Sequence, residues 1–305
     1  MCGPLDQFPG RRPAGFNSVV AGDVVAVGDL DIFAFNRNTG ALAWSFRASD
    51  DDETGTHALA TGGSTIYASS FFGRVCALNS HTGLPVWVTQ LMGPVGVQTT
   101  TFDPVQSGGE VSVGLWYGTT PVTGGLAALD AATGHLLWTH DFSPIRSDLE
   151  AFCDGGAVVA DGVVVAPAAD GQIYGLDDAV TGALRWTAPQ VANYPVEDFR
   201  ALGLSNNVVI ASSSSGTATG LDVQSGTILW TSLVTGASLA NHVAADAQIA
   251  VLSSSELIAI NPLTGSVLWR TGVGQQGRSF WGYSEVASDR ILANGLDGFY
   301  ALKKE

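Results

Sequence analysis

Residues 128–138 read ALDAATGHLLW. The stretch has the form of a strand, a tight turn and the start of a second strand. It recurs along the chain. Ala34 to Trp44 is AFNRNTGALAW, Ala77 to Trp87 is ALNSHTGLPVW, and Gly175 to Trp186 is GLDDAVTGALRW, with one extra residue. Gly220 to Trp230 is GLDVQSGTILW and Ala259 to Trp269 is AINPLTGSVLW, and a further copy begins at Ala301 as ALKKE. Six of the eight tryptophans hold the same repeat position: Trp44, Trp87, Trp138, Trp186, Trp230 and Trp269. A period of about 40–50 residues with several strands per unit is the signature of a propeller or a related array.

Each piece of the unit has a physical task. The Asp or Asn accepts hydrogen bonds from turn N–H groups, and the Thr or Ser hydroxyl does the same. The Gly supplies a positive φ at little steric cost. The small residue at the first position leaves room for the Trp, which is expected to reach the adjacent unit. Burying such a ring is worth roughly 4–6 kcal/mol gross, an upper bound because unfolded chains already bury some surface. The six tryptophans are therefore read as structural docking residues.

A hairpin precedes each copy. The segments are SVVAGDVVAVG from Ser18, HALATGGSTIYASS from His57, GAVVADGVVVAP from Gly156, RALGLSNNVVIASS from Arg200, HVAADAQIAVLSS from His242 and EVASDRILANG from Glu285. In the third unit VQTTTF and EVSVGLWYG read as the strands, joined by a long turn, DPVQSGG. Hairpin, ALD segment and Trp segment make four strands. The fold class predicted is all-β, a β-propeller of about seven four-stranded blades over residues 16–305, behind a leader of residues 1–15. Blade seven has three strands, with no Trp strand after Glu305.

The AxDxxTGxxxW unit resembles the repeat of PQQ-like (pyrroloquinoline-quinone-type) β-propellers. That superfamily includes quinoprotein dehydrogenases and the outer-membrane barrel-assembly lipoprotein. The resemblance covers about residues 16–305 and is specific for fold, much less so for function. Dehydrogenases of the family carry a vicinal cysteine disulfide, a calcium set of Glu, Asn and Asp, and a catalytic Asp. The three cysteines here, Cys2, Cys76 and Cys153, are not adjacent. The resemblance thus implies a scaffold without its redox chemistry. No cofactor is expected, and PQQ with calcium is the disfavoured exception.

Charge narrows the partners. The net charge is −15, and the only lysines are Lys303 and Lys304. A nucleic-acid binder needs a basic patch, and none is visible. No apolar run approaches the roughly 18–20 residues of a membrane span. The opening Met1-Cys2-Gly3-Pro4 resembles a mature bacterial lipoprotein whose signal peptide was replaced by a start Met. Cys2 would then be the lipid anchor and the only membrane contact, on a periplasmic or surface lipoprotein of the bacterial envelope. Cys76, in GRVCAL, reads as a small buried hydrophobe.

Other motifs are weak. GVGQQG, residues 272–277, has the dinucleotide-binding spacing but no helix after it. DDDETG, residues 50–55, starts like a calcium loop but lacks the closing acid. No metal site is expected. The sharper inference comes from the hairpins. Ser18, His57, Gly156, Arg200, His242 and Glu285, with Thr99 in the third unit, precede the innermost strands. Their side chains could converge at one mouth of the central channel. His57, Arg200, His242 and Glu285 form the candidate ligand-binding funnel, with Asp154, Glu197, Asp198, Arg278, Trp281 and Tyr283 in nearby loops. No catalytic residue is assigned. The function expected is a non-catalytic, monomeric, envelope-associated scaffold for a protein partner. The alternatives are a small quinoprotein or other ligand-binding propeller using the funnel, and an enzyme using His57, His242 and Glu285 as acid and base.

Overall fold

In the computed structural model, the described residues are 18–28, 31–47, 56–70, 72–93, 99–117, 123–142, 153, 156–178, 181–188, 199–234, 242–271, 284–286, 289–295 and 298–304. They form 28 strands in seven antiparallel sheets, arranged as the blades of a β-propeller. Blade 1 holds β1 (Ser18–Ala21), β2 (Val24–Gly28), β3 (Asp31–Asn36) and β4 (Leu42–Arg47). Blade 2 holds β5 (Thr56–Gly62), β6 (Thr65–Ser70), β7 (Arg74–Asn79) and β8 (Pro85–Gln90). Blade 3 holds β9 (Thr99–Thr101), β10 (Val105–Ser107), β11 (Glu110–Tyr117), β12 (Thr123–Asp130) and β13 (Leu136–Asp141). Blade 4 holds β14 (Val158–Ala160), β15 (Val163–Pro167), β16 (Ile173–Asp177) and β17 (Leu184–Ala188). Blade 5 holds β18 (Phe199–Ser205), β19 (Val208–Ser213), β20 (Thr217–Asp222) and β21 (Ile228–Leu233). Blade 6 holds β22 (Val243–Ala245), β23 (Ala250–Ser253), β24 (Leu257–Ile260) and β25 (Val267–Arg270). Blade 7 holds β26 (Ser284–Val286), β27 (Arg290–Gly295) and β28 (Gly298–Lys303), and is three-stranded among the described residues.

Within a blade the strands pair in chain order. The innermost strands are neighbours in sequence around the ring, β1 beside β5, then β10, β14, β18, β22 and β26. This order follows from the repeat, because each unit buries its faces only against the units before and after it.

Blade 3 departs from the reading as one hairpin with a long DPVQSGG turn. Only Gly108 and Gly109 turn the chain there, and β10 lies inside the supposed turn. Both β9 and β10 pair with β11, through Thr101↔Leu115 and Val105↔Ser112. The inner strand is broken where Pro104 has no N–H to give the ladder. Phe102 N still donates to Gly114 O at 3.0 Å. Gly114 has no side chain for a reason: a Cβ there would lie 2.9 Å from the Cys153 Sγ.

The TG turns are built alike. In blade 3, Asp130 Oδ1 accepts from Ala132 N at 3.1 Å, Thr133 N at 2.8 Å and Thr133 Oγ1 at 2.6 Å. The Thr133 hydroxyl leads the bonds that hold the Asp130 carboxyl below the usual carboxylate range. Gly134, at φ +72°, closes the turn onto Asp130 O at 2.8 Å. A bulge follows in the pairing of third and fourth strands, at Ala128/Leu129 here and at the matching place in the other five complete blades.

The tryptophans join blade to blade. Trp44 Nε1 donates to Ser80 O at 2.8 Å and Trp87 Nε1 to Ala131 O at 3.0 Å. Trp186 donates to Val223 O at 3.1 Å and Trp230 to Pro262 O at 3.0 Å. Each acceptor is the residue after the turn Asp or Asn of the next blade. The same ring lies over that turn's glycine: a Cβ on Gly83 would come within 2.6 Å of Trp44, and one on Gly226 within 2.3 Å of Trp186. Core clusters accordingly span neighbouring blades, as where Trp186 packs with Val165, Leu202 and Val209.

Candidate functional site

Antiparallel pairing places the starts of the innermost strands and the turns between second and third strands at one end of the ring, the upper end. The TG turns lie at the other. The upper end is the mouth expected to carry the funnel.

His57 and Arg200 hold equivalent backbone positions. Each is the unpaired residue of a bulge, between Thr56↔Ser70 and Ala58↔Ser69 in blade 2, and between Phe199↔Ser213 and Ala201↔Ser212 in blade 5. The other candidates sit at different registers. Counted from the tight turn, Gly156 and His242 lie one residue further along, Ser18 two and Glu285 three; Glu285 pairs with Leu292 inside β26 and is exposed. Thr99 is buried at the start of β9. Cys2, residues 50–55 and 272–277, Asp154, Glu197, Asp198, Arg278, Trp281, Tyr283 and the side chains of His57 and Arg200 lie outside the described residues.

His242 is described in full. Its Nδ1 accepts from Ser284 N at 3.2 Å, linking the starts of the inner strands of blades 6 and 7. Burial pushes its pKa down to about 4. The imidazole is therefore neutral near pH 7, with one nitrogen committed as an acceptor. A general base works best with a pKa near the operating pH, so His242 is poorly tuned for acid–base work. Below it, Ser253 and Ser284 share a buried hydroxyl bond of 3.0 Å.

The sign of the His242 effect is fixed by its depressed pKa. The unfolded imidazole titrates near pH 6.5. Between that value and about 4 the unfolded chain binds the extra proton, so stability falls as the pH drops. A loss of up to about 3 kcal/mol is expected between pH 6.5 and 4. A His242→Leu variant should lack this component. Urea denaturation at several pH values checks it, and parallel pH profiles for the two proteins would refute it.

The upper end carries further charged groups that the hairpin alignment missed. Glu256, in the turn between β23 and β24, is only 3% exposed and bonds Arg270 Nη1 at 2.9 Å. Arg270 also donates through Nη2 to Val234 O of blade 5. Arg270→Ala would leave a buried carboxylate without its cation. A cost of about 2–3 kcal/mol is expected, below the value for a fully buried pair because Arg270 is partly solvated. Thermal unfolding of Arg270→Ala beside Arg290→Ala, whose ion pair is exposed, would show it. Asp170 is fully buried in the equivalent turn of blade 4, accepting from Gln172 N at 2.9 Å and Tyr174 O–H at 3.2 Å. Phe142 stacks on Tyr174 at 4.2 Å. In sequence, Asp170 stands three residues after Pro167, where the matching turns of blades 2 and 5 carry Phe72 and Ser215, and Glu256 follows the serines Ser253 and Ser254.

Cys76 is buried in blade 2, and burial pushes its thiol up to about 12, which leaves it unreactive. Among the described residues, no group of three or more His, Cys, Asp or Glu side chains is placed to hold a metal.

A family model described as outer membrane protein assembly factor BamB matches residues 28–198 and again 122–301. The chain belongs to that family. BamB from Yersinia pestis is 24% identical over 260 residues, which is 77% of this chain and 62% of that protein. Tetrathionate hydrolase from Acidithiobacillus ferrooxidans is 24% identical over 263 residues, 80% of this chain and 50% of that enzyme. The chain thus spans about half to three-fifths of the length of these curated relatives. The crystal structure of BamB from Moraxella catarrhalis superposes with a TM-score of 0.64 at 18% identity, covering 94% of this chain and 81% of that one. That likeness shows the propeller fold.

Proposed function

We propose that this PQQ-like propeller is a non-catalytic, envelope-associated scaffold that binds another protein along its outer strands. Membership of the BamB family supports an assembly role over a chemical one. The observation that carries the reading is the outermost strand of blade 2. Val86 and Val88 of β8, and Leu84 just before it, are 55%, 42% and 66% exposed. Leu136 and Leu137 of β13 are exposed in the same way. An exposed apolar edge strand offers unpaired backbone groups and side-chain contacts to an extended partner segment. With a net charge of −15, the protein favours a partner with a basic surface. Cys2 would anchor it by lipid.

The test is affinity capture from the native envelope with the wild-type chain and a Leu84→Asp/Val86→Asp variant. A protein enriched by the first and lost by the second supports the reading. Equal capture by both would refute the blade 2 edge. Saturable quenching of tryptophan fluorescence by PQQ plus calcium, abolished in Arg200→Ala, would replace the scaffold with a quinone-binding funnel.

A further inference from the structure

Among the described residues, an apolar core cluster joins each blade to the next from blade 1 to blade 7, and none joins blade 7 to blade 1. The two faces at that last junction are correspondingly open. On blade 1, Val20 is 48% exposed, and Val25, Val27 and Phe35 on the same face are half-buried. The alternate residues Ala21, Val24, Ala26 and Ala34, which pack toward blade 2, are buried. On blade 7, Leu292 is half-buried and its cross-strand neighbour Ala301 is exposed.

The junction has the fittings of a tryptophan seat. In each complete blade the small residue of the third strand pairs with the tryptophan, as Ala34 does with Trp44 and Ala259 with Trp269. Ala301 holds that repeat position on β28, and no fourth strand pairs with β28 among the described residues. In blades 2 to 6 the turn glycine lies under the ring of the blade before. A Cβ on Gly83, Gly134, Gly182, Gly226 or Gly265 would come within 2.6 Å of Trp44, Trp87, Trp138, Trp186 or Trp230. The blade 1 turn is built alike: Asn36 Oδ1 accepts from Asn38 N and Thr39 N at 3.0 Å, and Gly40 has φ +71°. Yet nothing lies within 4 Å of a Cβ on Gly40. The carbonyl that matches Ser80 O and Val223 O in this turn is Arg37 O.

We propose that an extended segment of another protein, carrying a tryptophan with acidic neighbours, adds to β28 as a fourth strand and lays its ring over Gly40. Fourth strands run antiparallel to third strands in every complete blade. The added strand does likewise, with its tryptophan opposite Ala301 and its indole N–H on Arg37 O. Main-chain pairing supplies affinity, and the ring supplies specificity. Residues 1–17 contain no tryptophan, so the stretch before β1 brings no indole to this seat. Charge selects the flanks. Both lysines of the chain lie at the end of β28. Lys304 bonds Asp246, while Lys303 pairs across the strands with Arg290 on the face that Ala301 takes. Arg37 is exposed on the blade 1 turn. Asp289 bonds Arg290 at 3.3 Å, and Asp23 is exposed in the adjoining turn. The lower rim of the seat therefore carries a slight positive excess in a chain of net charge −15, which favours acidic residues beside the incoming tryptophan. This surface is separate from the blade 2 edge, so either reading can fail alone.

The experiment is fluorescence anisotropy of the full chain with a labelled synthetic peptide. The peptide repeats residues 134–141, GHLLWTHD, a fourth strand of this protein, with a glutamate added at each end. Saturable binding is expected. A peptide with alanine in place of the tryptophan should bind at least about tenfold more weakly, as for a buried aromatic anchor. A peptide with lysine at each end should also bind more weakly, and the difference should shrink as salt is added. Ala301→Arg, at an exposed position that leaves the fold intact, should abolish binding, and Lys303→Glu should weaken it. Leu84→Asp/Val86→Asp should bind like wild type. No saturable binding, equal binding of the alanine peptide, or undiminished binding by Ala301→Arg would overturn the proposal. Tighter binding of the lysine-ended peptide would overturn the acidic partner. Binding that appears only after removal of residues 1–15 would give the seat to the leader. A dimer of the wild-type chain that Ala301→Arg abolishes would give it to a second copy. Either result would overturn the proposal as well.

Discussion

Trp186→Ala lowers the unfolding free energy by about 3–5 kcal/mol, the range for truncating a buried aromatic ring. The ring is 9% exposed and closes the contact between blades 4 and 5. It is lost together with the 3.1 Å bond to Val223 O, which leaves a turn carbonyl to find water. The same change at Trp138 removes a comparable ring but no carbonyl bond. Trp138→Ala is therefore expected to cost about 1 kcal/mol less. Urea denaturation of both variants at one pH decides this. If Trp138→Ala proves the more damaging, the carbonyl bond is not what separates the two junctions.

Gly226→Ala is the second large effect, at roughly 2–5 kcal/mol. Two costs add. At φ +66° any L side chain is strained, which is worth roughly 1–2 kcal/mol. The new Cβ would also lie 2.3 Å from Trp186 Cε3, so the ring must shift within a filled junction. Overpacking of that kind typically costs about 1–3 kcal/mol. Gly22→Ala separates the terms. Gly22 has φ +59° but nothing within 4 Å of its built Cβ. It should show the backbone cost alone. Equal destabilisation of the two variants would mean that the tryptophan does not press on the turn.

Much of the fold is legible because its cues are local. An Asp or Asn three residues before a Thr or Ser, with Gly next, closes a turn from its own atoms, as Asp130, Thr133 and Gly134 do. Strand alternation and the repeat of about 40–50 residues then fix the number of blades. Cys76 reads as core because apolar residues flank it on a strand, and it is 3% exposed. The break in the inner strand of blade 3 was less visible. DPVQSGG read as one long turn, but Val105–Ser107 rejoins β11 because the sheet surface is there to receive it.

The funnel shows where the reading stops. His57 and Arg200 align in sequence and occupy matching bulges. His242 and Glu285 looked equivalent, but their hairpins differ in length, and a shift of one residue in a strand changes which face a side chain takes. Glu256, Arg270 and Asp170 were passed over because each gains its meaning from a partner on another element. An isolated Glu in a turn reads as solvated until Arg270 is seen to cover it.

The sequence by itself determined the turn chemistry, which rests on residues a few positions apart, and the repeat whose copies count the blades. Only the tertiary structure decided which carbonyl an indole reaches, that Trp138 reaches none, and that His242 accepts from Ser284 N of the next blade. Those outcomes depend on how neighbouring blades meet. Blade packing joins residues roughly 30 or more positions apart, as Trp230 and Pro262, whose proximity no local pattern encodes.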